Sequence, residues 1–290
     1  MSRIFYDLMR PETGMNYRWV QPPQIVYLVS TVDQYGNVNV TPISLGTCVS
    51  VNSLPDPVES NYFFAFSVGN VDLPNLPARD AYHNLETVPE CVISYPSSDF
   101  LEKIWVAALP LPKGINEMDV AGFTPLPSRR VHPPGIQECP VNMEAVVKSS
   151  YQVGAHFKLY ICQVVAVSVN AELVARDETS AEHVGVLSID PLFEAAIVAL
   201  EGRAPRLYFG KIDRDKLYPT PDDIGSSRTW IGTFEAWMED ELERGKIGQE
   251  QMKEILALNK QWQANLDPKV NKEARLKLTR RLTEIVWNRK

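Results

Sequence analysis

The legible hydrophobic pattern begins at residue 24. Gln-Ile-Val-Tyr-Leu-Val-Ser-Thr-Val (24–32) is dense in β-branched and aromatic residues and has the length of one buried strand. Asp33 to Asn37 supplies turn chemistry, with Gly36 available for a positive φ. Val38 to Ile43 alternates and reads as the returning strand, so the first element is a hairpin. Asn61 to Val68 is the next strand, Gly69 to Pro77 a loop, and Ala78 to Val88 a short helix stopped by Pro89. Cys91 to Tyr95 is a strand closed by Pro96. Residues 108–140 are proline-rich and aperiodic, which predicts a long ordered excursion of the kind that often carries function. Val141 to Val147 and His156 to Val169 read as strands, and Asp190 to Leu200 as a helix with Asp190 as N-cap and Pro191 at its first position.

Past residue 225 the period changes from two to 3.6. Trp230, Phe234, Trp237, Met238 and Leu242 recur at helical spacing, as do Met252, Ile255, Leu256 and Trp262. A third segment opens at Asp267-Pro268 and carries Leu278, Leu282, Ile285 and Val286 on one stripe. Three short amphipathic helices cannot bury their stripes alone, so they must pack on the body, on each other or on a second subunit. The division expected is a β-rich domain over 1–225 and a helical extension over 226–290, acting as packing arm, pocket cover or dimer contact.

Composition sharpens that boundary. Of 22 prolines, only Pro268 lies in the last 65 residues, and proline breaks helix interiors. Residues 1–225 hold 16 Lys+Arg against 26 Asp+Glu, and the remainder 13 against 10, which together give the net charge of −7. An acidic body argues against a broad nucleic-acid face. The apolar runs fall far below the roughly 18 residues of a membrane span, and Met1 to Asp7 lacks the regions of a signal peptide. Cys48, Cys91, Cys139 and Cys162 show no metal or redox spacing and read as reduced core thiols. A cytoplasmic protein without membrane or nucleic-acid partners is the expectation.

Motif by motif, most chemistry is excluded. No Gly-x-Gly-x-x-Gly, phosphate loop, His-Glu-x-x-His or Gly-x-Ser-x-Gly occurs. His83, His132, His156 and His183 show no ligand-like spacing, so no metal site is expected. Asp80, His83 and Glu86 share one helix face, ordinarily a solvated one, although it would also suit a pocket wall.

Four segments, in order, resemble the flavin reductase-like family, whose fold is an FMN-binding split β-barrel. Val29 to Asp33 with Gly36 to Ser44 is similar to that family's opening hairpin and its Asn-x-x-Pro-x-Ser turn. Phe66 to Gly69 and Arg79 to Thr87 resemble its strand and Lys/Arg-Asp-Thr helix start. Ala121 to Thr124, Val131 to Gly135 and Gln137 to Glu144 resemble its excursion and following strand, and Gly154 to Ile161 its Gly-Asp-His strand start. Ala81 stands where the family usually has Thr, and Ala155 replaces the acid of Gly-Asp-His. The likeness spans about residues 20–215 and says nothing of the tail.

The resemblance implies a mainly β split barrel of Greek-key type with short helices, carrying here a C-terminal helical extension. It implies FMN as cofactor, NADH or NADPH as electron donor, and a homodimer. The flavin-binding set it points to is Ser30, Thr41, Pro42, Ile43, Ser44, Ser67, Gly69, Arg79, Asp80 and His156. Thr41 to Ser44 would offer hydroxyls and amides to the ring edge or ribityl chain, and Ser67 and Gly69 close backbone approach. Arg79 would offer a charge-assisted bond to the phosphate and the helix start near Asp80 a favourable dipole, while His156 would face flavin or nicotinamide. Hydride transfer between stacked rings needs no acid–base residue, so no catalytic dyad is expected. Electrons would pass to free flavin, an oxygenase partner or a small acceptor. Two alternatives remain: an FMN-binding electron carrier without nicotinamide turnover, and a flavin-free interaction protein.

Overall fold

The structure is a computed structural model that describes residues 24–50, 62–70, 78–97, 100–171, 188–189, 196–201, 204–209 and 233–287. Its centre is an antiparallel sheet of seven strands: β2 (Tyr27–Val32), β3 (Val38–Ile43), β4 (Gly46–Ser50), β5 (Phe63–Gly69), β6 (Glu90–Tyr95), β9 (Val141–Val153) and β10 (Phe157–Val169). A two-residue strand, β1 (Gln24–Ile25), precedes it, and β7 (Pro125–Leu126) pairs with β8 (Gly135–Ile136) inside the excursion. The order is β3-β2-β6-β9-β10-β5-β4, which puts the consecutive strands β3 and β4 on opposite edges. Laid flat, those edges would lie roughly 29 Å apart at a strand spacing of about 4.8 Å. The step from Ile43 to Gly46 reaches about 11 Å at most. The sheet must therefore curl until its edges approach, and it does. Tyr27, Val29 and Ile43 from one edge meet Phe64, Phe66 and Val68 from the other in a single interior core. Helix α1 (Asp80–Thr87) plugs that interior with Ala81 and Leu85.

The uninterrupted apolar run of β2 has a second cause. Tyr27 and Val29 point into the barrel, while Val26 and Leu28 point outward into a second core, so both faces are covered. That outer core contains α2 (Leu101–Ala107), α3 (Glu117–Ala121) and the tail helices α4 (Phe234–Glu243), α5 (Gln249–Gln263) and α6 (Lys272–Trp287). Trp237, Ile255, Trp262, Leu278, Leu282 and Val286 are buried there, on the stripes that the periodicity picks out. Hydrogen bonds tie the tail to the body. Trp262 Nε1 donates to the Lys113 carbonyl at 2.9 Å, Trp287 Nε1 to Val120 O at 2.7 Å, and Asn37 Nδ2 to Leu266 O at 2.9 Å.

One buried side chain pins the end of the excursion to the sheet. Asn142, 4% exposed, accepts from Ser94 Oγ at 2.6 Å and Ile136 N at 2.8 Å, and donates to Ile136 O at 3.1 Å and Cys139 O at 3.2 Å. Asn142→Ala leaves buried backbone groups unpaired and is expected to cost about 2 kcal/mol. A urea midpoint shifted at constant m-value checks this.

Two expectations need correction. Ala196–Glu201 is not helical; it forms β11, paired antiparallel with β12 (Ala204–Phe209). Ile197-Val198 favours a pleated strand, and 190–195 lie outside the described residues. The third tail helix begins at Lys272, because the Asp267 carboxylate and carbonyl serve a turn over Lys269 to Asn271. Within the proline-rich stretch, Asn116 caps α3 by accepting from Met118 N at 2.9 Å, and Gly122 ends it at φ +73°. Among the described residues no helix is long and apolar enough to cross a membrane.

Candidate functional site

A cavity of about 520 Å³ opens where the end of the barrel, the excursion and the tail meet. Edge strand β3 gives it Asn39 and Thr41, and the start of α1 gives Ala78, Arg79, Asp80 and His83. The segment from Leu109 to Lys113 forms an apolar wall rich in Leu and Pro, and Glu117 rises from the start of α3. The tail closes the remaining side with Thr233, Phe234 and Glu235 from the start of α4, and Asn259 and Gln263 from α5.

Glu117 is central to the polar wall. Its Oε2 accepts from the Val40 amide at 2.9 Å and its Oε1 from Asn39 Nδ2 at 2.7 Å. It thereby satisfies an outward-facing donor of an edge strand. With its nitrogen committed to Glu117, Asn39 turns Oδ1 to the hydroxyls of Thr31 (3.3 Å) and Thr41 (3.0 Å), and Asn84 Nδ2 donates to Thr31 Oγ1 at 3.1 Å. The chain of bonds fixes polarity. Thr41 has given its only proton to Asn39, so toward the cavity its hydroxyl is an acceptor, where the sequence suggests a donor.

Charge is crowded on the floor. Desolvation by burial, and then the nearby Asp80 charge, push the Glu117 carboxyl up to about 8, against the opposing bonds from Val40, its own amide and Asn39. Burial also raises Asp80, although Gly114 N–H donates to its Oδ2 at 3.2 Å and Lys113 and His83 favour its charge. Burial lowers Arg79, opposed by Glu117 and Asp80. One guanidinium thus serves two carboxyl groups.

Of the ten residues expected to bind flavin, Thr41, Arg79 and Asp80 line this cavity. Gly69, at the end of β5, adjoins it through its carbonyl, which accepts from Arg79 N at 3.2 Å. Ser67, on β5, pairs with Leu159 of β10 and donates its amide to Leu45 O at 2.8 Å. Pro42 lies opposite Leu28, Ile43 is buried in the barrel interior, and Ser44 is half-buried between β3 and β4. Ser30 is fully buried on β2, with no partner for its hydroxyl among the described residues. His156 is exposed at the turn between β9 and β10, and its carbonyl accepts from Asn70 N at 3.1 Å. The shared face of α1 divides: Asp80 and His83 face the cavity, while Glu86 binds Lys158 Nζ at 2.7 Å and accepts from Tyr160 at 3.0 Å.

Residues that pattern alone did not nominate are Asn39, Glu117, Lys113 and the tail pair Asn259 and Gln263. For Glu117 a signal existed, since Asn116 and Gly122 bracket a short capped helix that presents it. For the tail pair no local signal existed, because their position depends on how α5 docks. Among the described residues no cluster of His, Cys, Asp and Glu is arranged to hold a metal ion.

Comparison with known proteins agrees with this architecture. Residues 21–183, more than half of the chain, match the model of the flavin reductase like domain. The uncharacterized protein YdfE of Bacillus subtilis is 29% identical over 161 residues, covering 49% of this chain and 69% of that protein. An uncharacterized protein of Pyrococcus abyssi is 32% identical over 96 residues, covering 33% of this chain and 54% of that protein. The chain therefore spans about two thirds of the first relative and just over half of the second. Nitrilotriacetate monooxygenase component B from Bacillus cereus shares the fold at a TM-score of 0.56 and 21% identity, over 73% of this chain and 100% of its own.

Proposed function

This chain belongs to the flavin reductase-like family, and from that premise we propose that it is an FMN-dependent oxidoreductase whose flavin occupies the cavity beside Arg79. The observation that carries the reading is the cavity itself. Its volume of about 520 Å³ lies within the range of small-molecule sites. One wall, Leu109 to Pro112, suits the face of a planar ring system, and the opposite wall offers Arg79, Thr41 and Asn39 to polar edges. Arg79 is a half-buried cation lining the cavity, suited to a phosphate, with the first turn of α1 beside it. Thr41, as an acceptor, suits an N–H or a ribityl hydroxyl. When bound, FMN supplies the redox chemistry, accepting and releasing reducing equivalents. The protein's share is to bind, orient and exclude water, and no side chain is needed as catalytic acid or base.

NADH or NADPH is the proposed donor, with free flavin, a small acceptor or an oxygenase partner as the recipient. The fold shared with a monooxygenase component B is what keeps an oxygenase on that list. A homodimer is proposed as well. Tyr151, Val153 and Phe157, exposed on the β9–β10 hairpin, are apolar surface that a second copy would cover.

The test is direct. Purified protein titrated with FMN should quench flavin fluorescence to saturation, and the complex should bleach on rapid mixing with NADH or NADPH. FMN binding without bleaching by either nucleotide would leave an FMN-binding electron carrier. No binding of added FMN would discard both flavin readings.

A further inference from the structure

Among the described residues the cavity floor sets the carboxyl groups of Glu117 and Asp80 beside one guanidinium, and the flavin reading adds further negative charge there. We propose that anion binding at this floor is coupled to proton uptake: Glu117, held between Asn39 and Val40 and facing Asp80 and Arg79, carries a proton when the FMN phosphate seats beside Arg79. The inference rests on the flavin reading above and assigns Glu117 as a positioning residue.

The geometry supplies the reason. Both Glu117 oxygens are held from the strand side, by Asn39 and Val40, neither of which brings charge. Arg79 is a nearby cation that interacts with Glu117 and with Asp80. An FMN phosphate is close to a dianion above its second pKa near 6. Placed beside Arg79, it would put three anionic groups around one guanidinium at a partly buried site, where screening is weaker than in bulk water. A proton on Glu117 removes one of the three. Glu117 is the suited carrier because it is 7% exposed and already pushed up to about 8, a value that a neighbouring anion raises further. The other charged groups bordering the site do less. Lys113 and Glu235 lie on the exposed rim, His83 sits one turn into α1, and the Asp33 carboxylate is held by its own turn through Tyr35 N and Asn37 N.

Proton loss from Glu117 opposes the anion, so affinity for FMN should be flat below about pH 8 and fall above it, by up to about tenfold per pH unit. Titrations of the full chain with FMN and with riboflavin, from about pH 7 to 9, read this out. FMN should show the fall. Riboflavin, which lacks the phosphate, should not, and Glu117→Gln should make FMN binding independent of pH. Calorimetry of wild-type protein in two buffers of different ionisation enthalpy needs no variant, and should show roughly half to one proton taken up per FMN near pH 8.5. A pH-flat FMN affinity with no proton uptake, an equal fall for riboflavin, or a midpoint that survives in Glu117→Gln would each overturn the coupling while leaving flavin binding in place. Failure to bind FMN at any pH would overturn the flavin reading and the coupling together.

Discussion

Replacing Trp262 by alanine is expected to lower the unfolding free energy by about 3–5 kcal/mol, in the range of large aromatic deletions from a core. Trp262 is fully buried in the outer core, and its indole N–H holds the Lys113 carbonyl. Its ring also packs on Gly114, where an added Cβ would lie 3.2 Å from Cζ2 and the backbone sits at φ +75°. Deletion removes packing, a hydrogen bond and the support of that turn at once. Trp262→Phe, which keeps most of the ring volume and loses the N–H, is expected to cost about 1–2 kcal/mol. The consequence reaches the cavity, because Gly114 N–H is the donor that holds Asp80. The shape of the denaturation curve is as informative as its midpoint. The tail and the excursion share one buried cluster, so a single cooperative transition should move as a whole. A second, separately shifted transition would show that 226–290 folds as its own unit.

Sequence reasoning reached the barrel because period and composition are local properties. β2, β3, β5, β6, β9 and β10 all lie on apolar runs that pattern exposes, and the tail stripes at Trp237, Trp262 and Leu278 are the faces that the structure buries. It stopped at β4, at α2 and inside the excursion. Gly46–Ser50 is an exposed edge strand whose burial alternates weakly, so it carries little hydrophobic signal. The helix read over 190–200 failed because its cap and its apolar run both suited a helix, while Ile197 and Val198 pair with Tyr208 and Leu207. At the site the same limit appears in another form. Thr41, Arg79 and Asp80 are adjacent to motifs, whereas Glu117 reaches Asn39 across 78 positions and Gln263 reaches Lys113 across 150. Those contacts are decided by how the excursion and α5 dock, which no window of sequence contains.

Removing the guanidinium is the largest expected effect on ligand binding. Under the proposed placement, Arg79→Ala should weaken FMN binding about 100-fold, or about 2.8 kcal/mol, the scale for losing one partner of a buried charged pair. Riboflavin binding should change by no more than about threefold, because the lost contact is to the phosphate. Arg79→Lys keeps the charge but not the planar fork, and should recover part of the affinity. The backbone is a useful control. The Arg79 amide still donates to Gly69 O whatever the side chain, so the start of α1 need not move. A second consequence follows from the charge balance on the floor. Without the guanidinium, Asp80 and Glu117 lose the neighbouring cation with which both interact, and both carboxyls are driven further toward the protonated state. The midpoint of any remaining pH dependence should therefore rise in Arg79→Ala. Equal losses for FMN and riboflavin would place the phosphate elsewhere, and unchanged FMN affinity would move the flavin out of this cavity.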